Sequence, residues 1–126
     1  TNVRILMDDA RKIFNLIPEA RISKIFLLFP DPWPKLRHHR RRFINTENIA
    51  LMAKILKPGG LLFLATDAKD YVRHTLEHMI NSDYFSWLAE KPSDWREPWL
   101  NWSSTRYQLK TQRLGRPTNY LIFRRN

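Results

Sequence analysis

The residues best equipped for chemistry stand together in Phe29–Arg42, Phe-Pro-Asp-Pro-Trp-Pro-Lys-Leu-Arg-His-His-Arg-Arg-Arg. Asp31 offers a carboxylate that can accept hydrogen bonds or offset a developing positive charge. Trp33 offers a flat aromatic face and Lys35 a cation. Lys35, Arg37, Arg40, Arg41 and Arg42 fall within eight positions, together with His38 and His39. One acid beside so dense a cationic run suits a polyanionic ligand. Each feature also has an ordinary reading. A basic run is commonly a solvated face, a Trp between prolines a packing plug, and an Asp after a strand a helix cap.

The apolar run Ile25–Phe29 reads as a buried parallel strand that delivers this loop. Pro30, Pro32 and Pro34 then exclude helix and ladder, so the backbone leaves the sheet as a stiff loop. In an open α/β sheet, the loops after the strands' carboxyl ends are where ligands bind. Upstream, Asn2–Met7 reads as a strand, and Ala10, Ile13, Phe14 and Ile17 as the apolar stripe of a short helix capped by Asp8 or Asp9 and ended by Pro18. Downstream, Asn45 or Thr46 caps a helix with Ile49, Ala50, Met52, Ala53 and Leu56 on its apolar face, and Lys57-Pro58-Gly59-Gly60 stops it. Leu61–Ala65 is a further buried strand closed by Thr66-Asp67. A helix bearing Tyr71, Val72, Thr75, Leu76, Met79 and Ile80 follows. Tyr84–Leu88 and Asn119–Arg124 read as strands, and residues 90–104 as an irregular loop. The alternation predicts an α/β fold with a parallel sheet, in one domain without an internal boundary.

The chain has 126 residues, enough for a core, and 43% of them are hydrophobic, which suits a globular fold. Its net charge of +10 favours nucleic acid or an anionic membrane as partner. No apolar run approaches a transmembrane span, so no membrane association is expected, and a cytoplasmic location is. The absence of cysteine excludes disulfides and Cys-based zinc sites. His74 and His78 can share a helix face at i, i+4, but no third ligand is evident and no metal is expected.

The order apolar strand, Pro-Asp-Pro-Trp-Pro-Lys, Arg-His, Arg-Arg-Arg resembles the signature of the bacterial tRNA guanine-N7 methyltransferases, which methylate the variable-loop guanine (position 46) from S-adenosylmethionine. Leu56–Gly60 before a strand is similar to a frequent feature of class I methyltransferases. Thr105-Arg106-Tyr107-Gln108 and Arg113-Leu114-Gly115-Arg116 resemble that family's C-terminal recognition segment. The resemblance spans nearly the whole chain. It implies a class I, Rossmann-like S-adenosylmethionine-dependent fold lacking the N-terminal strands with their Gly-rich turn, since the only glycines are Gly59, Gly60 and Gly115. Residues 1–126 are then the C-terminal part of a single methyltransferase domain, entering the fold at its third strand. Alone, they are expected to transfer no methyl group.

The resemblance also assigns roles. It implies Asp31 as catalytic and cofactor-contacting, Asp9 as a second cofactor-binding acid, and Lys35, Asp67 and Thr105–Gln108 (Thr105, Arg106, Tyr107, Gln108) as substrate-binding. Arg37, His38, His39, Arg40, Arg41 and Arg42 match the RNA-contacting run. The family usually has Glu where this chain has Gln108, which carries no charge. Helix caps are the rival reading for Asp9 and Asp67. Guanine N7 bears a lone pair and no proton, so its methylation needs alignment rather than a general base. Three other readings compete: a non-catalytic RNA-binding module, a methyltransferase for exocyclic amines, and a nucleotide-binding α/β domain using the Arg cluster for phosphates. The last lacks a P-loop, and the exocyclic-amine enzymes place adjacent prolines where this chain has Pro32-Trp33-Pro34.

Overall fold

The computed structural model describes residues 2–126. Its elements in chain order are α1 (Ala10–Phe14), β1 (Ile22–Leu28), a 3₁₀ helix (Leu36–Arg41), α2 (Thr46–Ile55), β2 (Leu56–Thr66), α3 (Lys69–Ile80), β3 (Phe85–Trp87), α4 (Ser93–Arg96), α5 (Arg106–Arg113) and β4 (Asn119–Arg125). The four strands form one sheet in the order β1-β2-β4-β3. Strands β1 and β2 are parallel, whereas β4 runs antiparallel to both β2 and β3. The sheet is therefore mixed, not wholly parallel. Helices cross over from β1 to β2 (α2) and from β2 to β3 (α3), which run the same way; after α5 the chain re-enters at the end where β2 and β3 leave and inserts β4 antiparallel between them.

Alternation along the strands divides the side chains between two faces. Leu62 and Leu64 of β2 and Leu121 and Phe123 of β4 are buried in register, Leu62 opposite Phe123 and Leu64 opposite Leu121. With Ile49, Met52 and Ile55 of α2 and Tyr71 and Met79 of α3, they make the main core. The other face is aromatic. Phe26 stacks on its cross-strand partner Phe63 with ring centroids 4.6 Å apart, and Trp99 packs edge-on to Phe63 at 5.1 Å. Trp102 and Tyr120 continue this layer at 5.3 Å.

Several local expectations are corrected. Residues 2–7 form no strand: Val3, Ile5, Leu6 and Met7 are exposed, and no ladder partner stands beside them among the described residues. A strand needs a neighbour to take its N–H and C=O groups. Leu56 begins β2 rather than ending α2. It pairs with Ile22, and Lys57–Gly60 then form an irregularity before Leu61 pairs with Lys24. Gly59 sits at φ +80°, and a Cβ on Gly60 would lie 2.8 Å from the Lys57 carbonyl oxygen, so the Gly-Gly pair permits this bulge. The loop 90–104 contains the short α4, and the recognition segment from Arg106 folds as a helix, α5.

Leu64 is fully buried, whereas Leu28 on edge strand β1 is 44% exposed. Leu64→Ala is expected to lower unfolding stability by about 3 kcal/mol, and Leu28→Ala by less than about 1 kcal/mol. Urea titration of the two variants checks this; equal losses would contradict the assignment of the core to the α2–α3 face.

Candidate functional site

The parallel strands β1 and β2 end side by side. Phe29 N–H donates to the Ala65 carbonyl oxygen at 2.8 Å, after which both chains leave the sheet. Phe29 then adopts φ +49° and Trp33 φ +42°. Left-handed backbone at bulky residues costs on the order of 1–3 kcal/mol each, and such strain clusters where a site needs an unusual shape. Between them stands Asp31, exposed, whose Oδ1 accepts from the Trp33 N–H at 3.3 Å. That bond closes a two-residue turn around Pro32.

Asp31 and Asp9 border one hollow of about 330 Å³, together with Pro30, Trp33, Arg41 and Asn48. Asp9 is also the N-cap of α1, accepting from the Arg11 N–H at 3.0 Å. The Arg11 guanidinium grips its carboxylate and, with that N–H, holds its pKa down at about 2. The helix-cap reading of Asp9 therefore holds, and the residue faces the hollow as well. A larger hollow of about 620 Å³, lined by Thr46, Ile49, His78 and Tyr84, contains none of the strand-end residues, so size alone does not mark the site.

The basic run folds as a 3₁₀ helix, whose three residues per turn sort it into stripes. His38 and Arg41 both meet Trp33: the His38 ring lies edge-on at 5.7 Å and the Arg41 guanidinium 5.1 Å over the indole. Arg37 and Arg40 are exposed, as is Lys35 at the N-cap. His39 and Arg42 turn inward to Asp70: His39 Nε2 lies 3.9 Å from its carboxylate, and Arg42 Nη2 donates to it. Arg42 is 2% exposed and its Nε donates to the Pro32 carbonyl oxygen at 2.9 Å. Arg42, expected to contact RNA, instead directs its Nε and Nη2 to partners inside the protein.

Past the end of β2, Asp67 accepts from Arg116 Nε at 3.0 Å and from the Tyr107 hydroxyl at 3.3 Å. Tyr107 also packs against Phe29, with ring centroids 5.1 Å apart. The Tyr107 phenol is pushed up by partial burial and by the Asp67 carboxylate. Thus Asp67 and Tyr107 meet at the strand ends, while Arg106 is exposed at the start of α5. Thr105 is the N-cap of α5, its Oγ1 accepting from the Gln108 N–H at 3.0 Å. Gln108 is buried, accepting from Trp102 Nε1 at 2.9 Å and donating to the Tyr120 hydroxyl at 2.6 Å. Gln108, expected to bind substrate, has its amide bonded within the aromatic layer instead. Asp70, and the pairing of Arg116 with Asp67, are not visible in the sequence, because each partner lies far along the chain. The acid-free C-terminal segment was the one signal that its cations need a distant anion.

The two histidines of α3 serve the backbone. His74 Nε2–H donates to the Ile44 carbonyl at 2.6 Å, and His78 Nδ1–H to the His74 carbonyl at 2.8 Å. Burial lowers the His74 pKa; the Ile44 bond opposes this, and His78, Arg42 and His39 add repulsion. The unfolded chain thus takes up a proton near 6.5 that the folded chain accepts only at lower pH. Stability is complete above about pH 6.5 and falls as the pH drops below it. The urea midpoint should decline from pH 7.5 to 5.5, and His74→Gln should flatten that decline; an unaltered slope would contradict the burial of neutral His74.

The sequence profile of a family described as "Putative methyltransferase" matches residues 1–121. A tRNA (guanine-N(7)-)-methyltransferase of Ruegeria pomeroyi is 53% identical over 98% of this chain and 52% of its own length. One from Jannaschia sp. is 48% identical over the same shares, 98% and 52%. The chain spans about half the length of these curated relatives. A SAM-dependent methyltransferase structure from Archaeoglobus fulgidus, 10% identical, covers 99% of this chain and 68% of its own at a TM-score of 0.48, too loose an overlap to argue from. No helix among the described residues is long and apolar enough to cross a membrane. The mixed α/β sheet and the match over residues 1–121 agree, and the chain belongs to this methyltransferase family.

Proposed function

We propose that these residues form the C-terminal part of a domain that methylates N7 of the variable-loop guanine in tRNA, using S-adenosylmethionine. The observation that carries this reading is the strained loop at the end of β1, which sets Asp31 in a hollow with Asp9 and Trp33 beside an exposed basic stripe. The relatives' names supply the reaction. A cytoplasmic location fits tRNA as substrate.

The donor set fits the cofactor. Carboxylates at Asp9 and Asp31 suit hydroxyl and ammonium groups, and the Trp33 indole supplies an apolar wall. When bound, S-adenosylmethionine supplies an electrophilic methyl group on a sulfonium. Asp31 and Asp9 would hold it, with Asp31 reaching towards the base. Guanine becomes cationic as N7 is methylated, and the fixed Asp31 carboxylate offsets that charge and accepts the base's N–H groups. No proton leaves N7, which accords with a site whose loop offers a carboxylate and no paired base. Asp67, oriented by Arg116 and Tyr107, stands ready to accept from a substrate hydroxyl or amine. Arg37 and Arg40, with Lys35, face phosphates.

Asp31→Asn, in a protein of the relatives' full length carrying these residues, should slow single-turnover methylation roughly a hundredfold with tRNA affinity nearly unchanged. A rate within about threefold of the parent, well under 1 kcal/mol, would withdraw the catalytic assignment. Replacing Arg37 and Arg40 together with Ala should flatten the log–log salt dependence of tRNA binding by about 1.5, at ~0.7 to 0.9 per phosphate. An unchanged slope would make the stripe a solvated face only.

A further inference from the structure

The proline loop presents a bonding problem. Pro30, Pro32 and Pro34 have no N–H and leave the sheet, so their carbonyls have no ladder partners. Two of these carbonyls are collected by one stripe of the 3₁₀ helix: Arg42 Nε donates to the Pro32 oxygen at 2.9 Å, and His39 Nε2 lies 3.3 Å from the Pro34 oxygen. Behind both stands Asp70 in the first turn of α3. Arg42 holds its carboxyl below the usual range. The Arg42 guanidinium also lies 5.6 Å over the Tyr71 ring. Tyr71 in turn accepts from the Ile44 N–H at 3.2 Å, and His74 takes the Ile44 carbonyl. The loop's exit is thereby fastened to α3 at consecutive points.

We infer that Arg42 is a positioning residue: with Asp70 it braces the Pro32 carbonyl and so fixes the Asp31 carboxylate one residue away, rather than contacting RNA. The inference rests on the role proposed for Asp31. Pro32 lies inside the turn that Asp31 Oδ1 closes on the Trp33 N–H, so a freed Pro32 carbonyl releases that turn. An arginine suits this place because its guanidinium is planar and can serve two acceptors at once. The brace also accounts for a buried residue in so basic a run: its charge is paired with Asp70, and its Nε and Nη2 both donate within the protein.

The two roles make opposite forecasts for Asp70. If Arg42 were a phosphate contact, Asp70→Asn would free its charge and strengthen tRNA binding. If Arg42 is the brace, Asp70→Asn reproduces the loss of Arg42. The experiment compares Arg42→Gln, Asp70→Asn and the double variant by amide hydrogen exchange at Trp33, by the salt dependence of tRNA binding, and by single-turnover methylation at saturating tRNA in a protein of the relatives' length. Each single variant should exchange the Trp33 amide at least about tenfold faster, with β2 amides unchanged and no further gain in the double variant. Methylation should slow in parallel, while the salt slope stays at the parent's value. Trp33 exchange within about twofold of the parent in Asp70→Asn would overturn the proposal. So would a slope lowered by about 0.7 to 0.9 in Arg42→Gln, or tighter tRNA binding in Asp70→Asn. Should Arg42→Gln unfold, seen as exchange throughout β2, Asp70→Asn at an exposed carboxylate still decides. Intact Trp33 coupling in a protein that methylates normally after Asp31→Asn would refute the role of Asp31 and leave the brace standing.

Discussion

The last rung of the β1–β2 ladder, from Phe29 N–H to the Ala65 carbonyl, sets the position of everything around the site. Two residues beyond each partner stand Asp31 and Asp67, so one hydrogen bond at the sheet's end spaces two carboxylates. The rung is secure because the strands beneath it are locked by core packing: Leu62 and Leu64 are buried against β4 and the helices, and Phe63 is stacked on Phe26. Register cannot slip by one residue without turning the aliphatic face towards the aromatic layer. Loop geometry beyond the rung therefore inherits the rigidity of the sheet.

Charge is the second constraint. The run from Lys35 to Arg42 carries no acid, yet it does not behave as one surface. The threefold period of the 3₁₀ helix gives its cations different tasks: Arg41 lies on Trp33, Arg42 is buried against Asp70, and Arg37 and Arg40 remain outward. At the second strand end, Arg116 is paired with Asp67, whose side chain is 9% exposed. Each strand-end region thus carries an arginine–aspartate pair with one member from a distant part of the chain, Asp70 for Arg42 and Arg116 for Asp67. These pairs organise the strand-end loops and leave Arg37 and Arg40 outward, the stripe proposed above to face phosphates.

Much of this was legible in the sequence. Apolar runs located β1 and β4 to within three residues and the second half of β2, and the capping residue Asn45 marked α2. The proline spacing indicated a stiff loop carrying Asp31. What sequence could not supply was partnership. Whether β4 runs parallel or antiparallel depends on the end of the sheet at which the chain re-enters between β2 and β3. Whether Arg42 or Arg40 faces inward depends on the helical period and on Asp70, 28 residues away. Gln108, read by resemblance as a substrate-binding position, is covered by Trp102 and Tyr120, which only the fold brings to it. Residues 2–7 have strand composition but no neighbour among the described residues, and composition cannot make a ladder alone.

The account stands or falls on where a methyl group is placed. Transfer RNA methylated by a protein of the relatives' length bearing these residues can be reduced with borohydride and cleaved with aniline, which breaks the chain only at N7-methylguanosine. One cleavage is expected, at the variable-loop guanine, because the N7 lone pair needs alignment beside a carboxylate and no general base. Methyl label recovered on an exocyclic amine or a ribose hydroxyl, with no aniline-sensitive site, would contradict it.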